Sequence, residues 1–187
     1  MNINSITGNN YKNNFQPLKT FRPTFTAKGI FPGSFDPITN GHLDIIKRAA
    51  SILDSLTVLV SKNPSKEKCF LSFEDRISII KKLLLDEKLK NVQVASTTDY
   101  AVKYAQKDGS SVIIRGLRNG DDFEYEMHMH KISNQIDPTI DIILLPTKPN
   151  LSTLSSTEVR DIYEKRGDIS NLVPKCVNDF LTSLKNQ

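Results

Sequence analysis

No apolar run in the 187-residue sequence approaches the ~20 residues of a membrane-spanning helix, and no signal-peptide core opens it. Cysteine is scarce. Cys69 and Cys176 lie far apart and match no metal or redox spacing, which predicts two free thiols in a reducing compartment. These shortages together predict a soluble, cytoplasmic protein with no membrane partner. Acidic residues are missing from the first 28 positions, which carry four basic ones, Lys12, Lys19, Arg22 and Lys28. The whole chain holds 25 basic and 21 acidic residues, so its net charge of +4 resides in that segment and the remainder is balanced. A neutral body argues against non-specific nucleic-acid binding, which rests on dense positive charge.

Residues 1–27 are also rich in Asn and short of aliphatic side chains, and they predict an unstructured N-terminal extension. An organellar transit peptide is the alternative, since such segments are likewise poor in acids; a single Arg and more Asn than Ser favour the plain tail. The ordered domain is expected over 28–187.

From Lys28 the hydrophobic pattern alternates between two periods. Strands are predicted at Lys28–Phe31, Leu56–Val60, Val92–Ala95, Val112–Ile114 and Ile140–Leu145, short segments built on apolar residues, with Leu56–Val60 also β-branched enough for a central strand. Helices are predicted at Gly41–Leu53, from Ser72 onward, and at Tyr100–Lys107, Asp121–Gln135, Ser156–Lys165 and Pro174–Leu184. Ser72 opens an S-x-x-D pattern resembling a capping box, and Gly109 ends the third helix. Such alternation implies an α/β fold, a Rossmann-like doubly wound parallel sheet with helices on both faces. Right-handed crossovers then collect the strand-to-helix loops on one edge, where open α/β sheets bind ligands.

Four segments fall on that edge: Pro32–His42, Ser61–Lys68, Arg115–Asp122 and Pro146–Thr157. In the first, Gly33 permits a close turn, Ser34 offers a hydroxyl to phosphate, and Gly41-His42 opens a helix whose N-terminus favours an anion. An imidazole there can donate to a phosphate oxygen as charge builds on it. The second segment, with Lys62, Lys66 and Lys68, reads equally well as a solvated loop. In the third, Arg115 and Arg118 leave a buried strand, where a guanidinium is costly to hold without an anion. Asp121 and Asp122 suit the dipole of the helix that follows. In the fourth, Ser155, Ser156 and Thr157 serve either as N-caps or as a phosphate cradle. His128 and His130 are two apart on a helix and point to different faces, so no metal site is expected from them.

Taken together, PGSFDPITNGH (32–42), NPSK (63–66), IIRGLRNGDDFEYE (113–126) and LSST (154–157) resemble the phosphopantetheine adenylyltransferases, nucleotidyltransferases with a T/HxGH signature. The resemblance covers everything but the tail. It implies transfer of the AMP portion of ATP to 4′-phosphopantetheine, giving dephospho-CoA and pyrophosphate, the penultimate step of coenzyme A synthesis. By that resemblance His42 stabilises the transferring phosphate and Ser34 contacts both substrates, while Lys66, Ala101 and Arg115 face 4′-phosphopantetheine. The ATP site would comprise Ser34, Phe35, His42, Gly116, Leu117, Arg118, Glu126, Leu151, Ser152, Thr153, Leu154, Ser155, Ser156 and Thr157. Members of the family use Mg²⁺ and form homohexamers, so both are expected here.

Two positions depart from the family pattern. Ser34 stands where many members have Thr, and Glu164 where some place a basic, ATP-facing residue. The nearest rival is the nicotinamide-mononucleotide adenylyltransferases, which LSSTEVR also resembles. Against it, Thr39 replaces that family's usual first histidine, and the chain has no Trp to stack on nicotinamide. An aminoacyl-tRNA synthetase fragment shares the HxGH logic, but the neutral body speaks against it. A non-catalytic nucleotide-binding regulator remains compatible with the motifs.

Overall fold

Local sequence rules account for most of the element boundaries. The computed structural model describes residues 25–61 and 69–185; the expected acceptor contact Lys66 and residues 1–24 of the expected extension lie outside them. The chain order is β1 (Phe25–Gly33), α1 (Asn40–Ile52), β2 (Leu53–Ser61), α2 (Phe73–Asp86), β3 (Val92–Thr97) and α3 (Ala101–Asp108). It continues with β4 (Val112–Leu117), α4 (Gly120–Ile136), β5 (Asp141–Pro146), a 3₁₀ turn at Pro149–Leu151, α5 (Ser156–Glu164) and α6 (Lys175–Lys185). Ser72 caps α2 by accepting from the Asp75 N–H, and Gly109 ends α3 in the left-handed conformation (φ 71°) that a Cβ disfavours.

The five strands are all parallel, in the order β3-β2-β1-β4-β5. Successive residues of the central strands feed opposite faces, as a pleated strand requires. Phe31, Val58, Val60 and Ile114 enter a large core with α1, α2, α5 and α6, whereas Ile30, Leu59 and Ile113 enter a smaller one with Val102 and Ala105 of α3. Helices therefore cover both faces, and the near-continuous apolar reading of β1, β2 and β4 follows from burial on both sides.

Most boundaries shift by one to three residues from the sequence expectation, β2 for instance starting at Leu53 rather than Leu56; three of the shifts have a clear local cause. β1 begins at Phe25, where it pairs with Leu53, three residues before Lys28. β4 runs on through Arg115, Gly116 and Leu117 because β5 continues to pair with them (Arg115↔Leu144, Gly116↔Leu145, Leu117↔Pro146). Finally, α4 starts one residue earlier than Asp121, since the Asn119 side chain caps it by accepting from the Asp122 N–H at 2.9 Å.

The topology places the site. Strand order reverses between β1 and β4, the switch point at which doubly wound sheets bind ligands. Those two strands register at only Gly29↔Val112 and Ile30↔Ile113, although each extends further beside its outer neighbour. Their carboxyl ends separate, and the crevice between them is the pocket described next.

Candidate active site

A pocket of about 400 Å³ occupies this crevice, lined by Phe31–Gly33 at the end of β1 and Ser34 just after it, by Arg115 and Gly116 of β4, and by the starts of α1 and α5. Beyond the short β1–β4 ladder, the Pro32 carbonyl has no strand partner on the β4 side. Arg115 supplies one, its Nη1 donating to Pro32 O at 3.0 Å. The rest of that guanidinium forks onto Glu126 of α4, Nε to Oε2 at 2.7 Å and Nη2 to Oε1 at 2.6 Å. Arg118 pairs similarly with Asp122 (2.9 and 3.0 Å), and this hydrogen bonding holds the Asp122 carboxyl below the usual range. The arginines therefore do have anions, Glu126 in the second turn of the neighbouring helix and Asp122 in its first. The anion expected beside each guanidinium is thus supplied within the protein. Incoming phosphates must share these cations with carboxylates already present.

His42 is fixed by a reciprocal cap. Thr39 is the N-cap of α1 and His42 its third residue. The Thr39 N–H donates to His42 Nδ1 at 3.0 Å, while the His42 N–H donates to Thr39 Oγ1 at 3.4 Å. This is a capping box with imidazole in the place of the usual Glu or Gln. An acceptor Nδ1 puts the ring proton on Nε2. Burial, and secondarily the Arg118 charge, lower the His42 pKa to about 4. At neutral pH the pocket thus presents an uncharged imidazole with one N–H donor, oriented by the helix it caps. The T-N-G-H spacing acquires a physical meaning: Thr and His must sit at N-cap and N3 to hold each other.

Behind the imidazole stands Phe35, 1% exposed, edge-on at 5.2 Å between ring centroids. Its ring packs where a Cβ on residue 33 would lie, 2.8 Å from Phe35 Cζ, so Gly33 is required for this stacking. The Phe35 ring is consequently packed behind the pocket wall, and Phe35 is not among the residues lining the pocket.

The α5 side is tied to the same turn. Ser155 caps α5, accepting from the Glu158 N–H. Ser156 Oγ donates to Pro37 O at 2.8 Å, and Arg160 donates to both Asp36 O and Thr157 Oγ1. Capping and pocket lining coexist here: all three hydroxyl residues line the crevice. The N-termini of α1 and α5 both open on it, which favours negative charge.

The cytidylyltransferase-like family profile matches residues 30–162. A phosphopantetheine adenylyltransferase of Helicobacter hepaticus is 44% identical over 156 residues, 83% of this chain and 92% of that protein. Another, of Alkaliphilus metalliredigens, is 40% identical over 149 residues, 80% of this chain and 93% of its own. The chain belongs to the phosphopantetheine adenylyltransferase family. A solved structure from Vibrio parahaemolyticus, provisionally described as a nicotinate-nucleotide adenylyltransferase, superposes with TM-score 0.63 at 20% identity, covering 83% of this chain and 91% of that one. At that identity the likeness speaks to the fold alone.

Of the residues expected from the phosphopantetheine adenylyltransferase resemblance, Ser34, His42, Arg115, Gly116, Arg118, Glu126, Leu151, Leu154, Ser155, Ser156 and Thr157 meet on the pocket wall. Leu117, Ser152, Thr153 and the Phe35 ring do not line it, and Ala101 packs against the smaller core instead. The sequence reading missed Phe31, Ile45 and Tyr125 as pocket residues; Thr39, Asp122 and Thr147 fell within the ligand-edge segments but were given no part in binding. Thr39 could have been found from its capping spacing, and Tyr125 from its place beside Glu126. Thr147, at the start of the segment expected on the ligand edge, reaches the site because β5 ends beside Leu117.

No three His, Cys, Asp or Glu side chains gather as a metal cage among the described residues. The two carboxylates facing the pocket, Asp122 and Glu126, are each engaged by an arginine. These donors do not fit a resident, protein-caged Mg²⁺, which prefers several free oxygen ligands.

Proposed function

We propose that the chain transfers the adenylyl group of ATP to 4′-phosphopantetheine, forming dephospho-CoA and pyrophosphate. One observation carries this reading: a neutral imidazole donor, locked by the Thr39–His42 cap, shares a crevice with two helix N-termini and Arg118. The activity named for its relatives supports the same reaction.

An oxygen of the acceptor phosphate attacks the α-phosphorus of ATP in line. The bond from that phosphorus to the α–β bridging oxygen breaks, and pyrophosphate leaves with the bonding pair. No covalent enzyme intermediate is needed, since positioning and fixed donors suffice for such displacement. His42 Nε2–H donates to a non-bridging oxygen on which charge accumulates. The N-termini of α1 and α5 receive the triphosphate, with Arg118 beside them. Arg115 faces the acceptor phosphate, while Ser34 lies between the two substrates; Lys66, which the resemblance also assigns to the acceptor, falls outside the described residues. Mg²⁺ enters this reading as part of Mg–ATP, its oxygens coming chiefly from the phosphates.

Self-association belongs to the same reading. Of the 17 residues of α4, only Glu126 and Ser133 are buried, and Phe123, Tyr125 and Met127 are exposed. A homohexamer would cover such a face. The free thiols of Cys69 and Cys176 suit the cytoplasm, and no described helix is long and apolar enough to cross a membrane. Mass spectrometry of the product tests the reaction: the expected species is 4′-phosphopantetheine joined to AMP through its phosphate. Unmodified acceptor beside hydrolysed ATP would refute the transfer.

A further inference from the structure

Arg76, in the second turn of α2, is 3% exposed, yet none of the ion pairs among the described residues involves it. A buried guanidinium without a carboxylate is costly, so its remaining contacts must justify it. They point to the phosphate turn. Arg76 Nη1 donates to Ser34 O at 2.8 Å across 42 residues of sequence, and Nε donates to Ser72 O at 3.2 Å. The Phe73 ring stacks under its charge at 4.9 Å. A second buried charge crosses between the same two segments in the opposite sense. Asp36, 2% exposed, accepts from the Phe70 N–H at 2.9 Å and the Leu71 N–H at 2.8 Å.

Between these two latches lies Phe35, whose φ of 47° is unfavourable for a side chain with a Cβ. Arg76 does not line the main pocket, whereas Ser34 does. Its hydrogen bond holds the Ser34 carbonyl on the Arg76 side of the turn. The Ser34–Phe35 peptide is trans and planar, so the Phe35 N–H points opposite to that carbonyl. That N–H finds no backbone acceptor among the described residues.

We propose that Arg76 is a positioning residue for adenylyl transfer: by holding the Ser34 carbonyl back, it presents the Phe35 N–H to a phosphate oxygen in the pocket. The inference rests on the adenylyl-transfer reading and adds to it a residue that touches no substrate. Its charge also polarises the peptide through which it acts, making the N–H a stronger donor. Loss of Arg76 should then act on turnover more than on ground-state affinity, as loss of an oxyanion donor does.

The test compares wild type with Arg76→Lys and Arg76→Ala. Lysine keeps charge and stem but cannot donate to Ser34 O and Ser72 O in the fixed fork of a guanidinium. For Arg76→Lys, kcat should fall about 10–100-fold while ATP affinity, read by calorimetry, changes by less than about threefold. A second cavity, lined by Arg76, Cys69 and Thr98, adjoins the side chain. Ethylguanidinium should therefore restore kcat to Arg76→Ala saturably, a readout that mere loss of packing would not produce. A kcat within about twofold of wild type in folded Arg76→Lys would overturn the proposal. So would a loss in Arg76→Ala that follows its unfolded fraction and ignores ethylguanidinium. Should Arg76→Ala fail to fold, Arg76→Lys decides alone. Wild-type turnover in the same assay separates the two ideas: an inactive wild type refutes the adenylyl-transfer reading, and an active one with indifferent variants refutes only the role of Arg76.

Discussion

His42 illustrates how much a single residue's chemistry depends on its neighbour. The Thr39 N–H on Nδ1 decides which ring nitrogen carries the proton, and burial decides that there is only one. Replacing His42 with Ala should lower kcat by about 10²–10³, with far less effect on ATP affinity. Thr39→Val should cost about 1 kcal/mol of stability through the lost cap and lower kcat as well, while Thr39→Ser restores both. The pH behaviour follows from the sign of the shift. Because His42 titrates near 4 when folded and near 6.5 when unfolded, the unfolded chain binds the extra proton between those values. Its contribution to stability is complete above about pH 6.5 and is lost as pH falls towards 4. Turnover should therefore show no His42 inflection between about pH 6 and 8. An acid limb near pH 6.5 in kcat would mean that the imidazole is not enclosed as described.

At the scale of elements, the sequence made the strands and helices legible through periodicity, because burial on both sheet faces leaves long apolar runs in β1, β2 and β4. Boundaries were less legible where a neighbour decides them: β4 carries on through Arg115–Leu117 only because β5 pairs there. The first and fourth site segments could be read from local capping chemistry. The Arg118–Asp122 pair is a local i,i+4 contact that spacing could have offered; the Arg115–Glu126 pair could not be read that way, since Glu126 becomes a partner only when α4 folds back along β4. This arrangement makes α4 a strut for the site. Glu126→Gln should remove the charge of a largely buried pair and cost about 3 kcal/mol, while freeing Arg115 for phosphate. Arg115→Ala should weaken 4′-phosphopantetheine binding by about 1.5–3 kcal/mol and leave ATP binding largely intact. Calorimetry on the two variants distinguishes strut from ligand. Equal loss of both substrates in Arg115→Ala would show that the arginine serves only to hold Pro32.

For the whole molecule, the surplus positive charge lies in a segment whose first 24 residues fall outside the described structure, while the sheet starts at Phe25. A chain beginning at Thr24 is expected to match the full-length protein in turnover and thermal midpoint. One beginning at Lys28 loses the Phe25–Leu53 pairing and should melt lower. Light scattering of the full chain should find a hexamer; charges placed on exposed Phe123 and Met127 should dissociate it. The motifs and the relatives bear most directly on the choice of acceptor. The most direct measurement is pyrophosphate release from ATP with 4′-phosphopantetheine or nicotinamide mononucleotide offered in parallel. The account predicts a kcat/KM at least about 10³-fold higher for 4′-phosphopantetheine, as expected when the acceptor phosphate and its attached arm are both recognised. Equal or preferential use of nicotinamide mononucleotide, or release of pyrophosphate with neither, would contradict it.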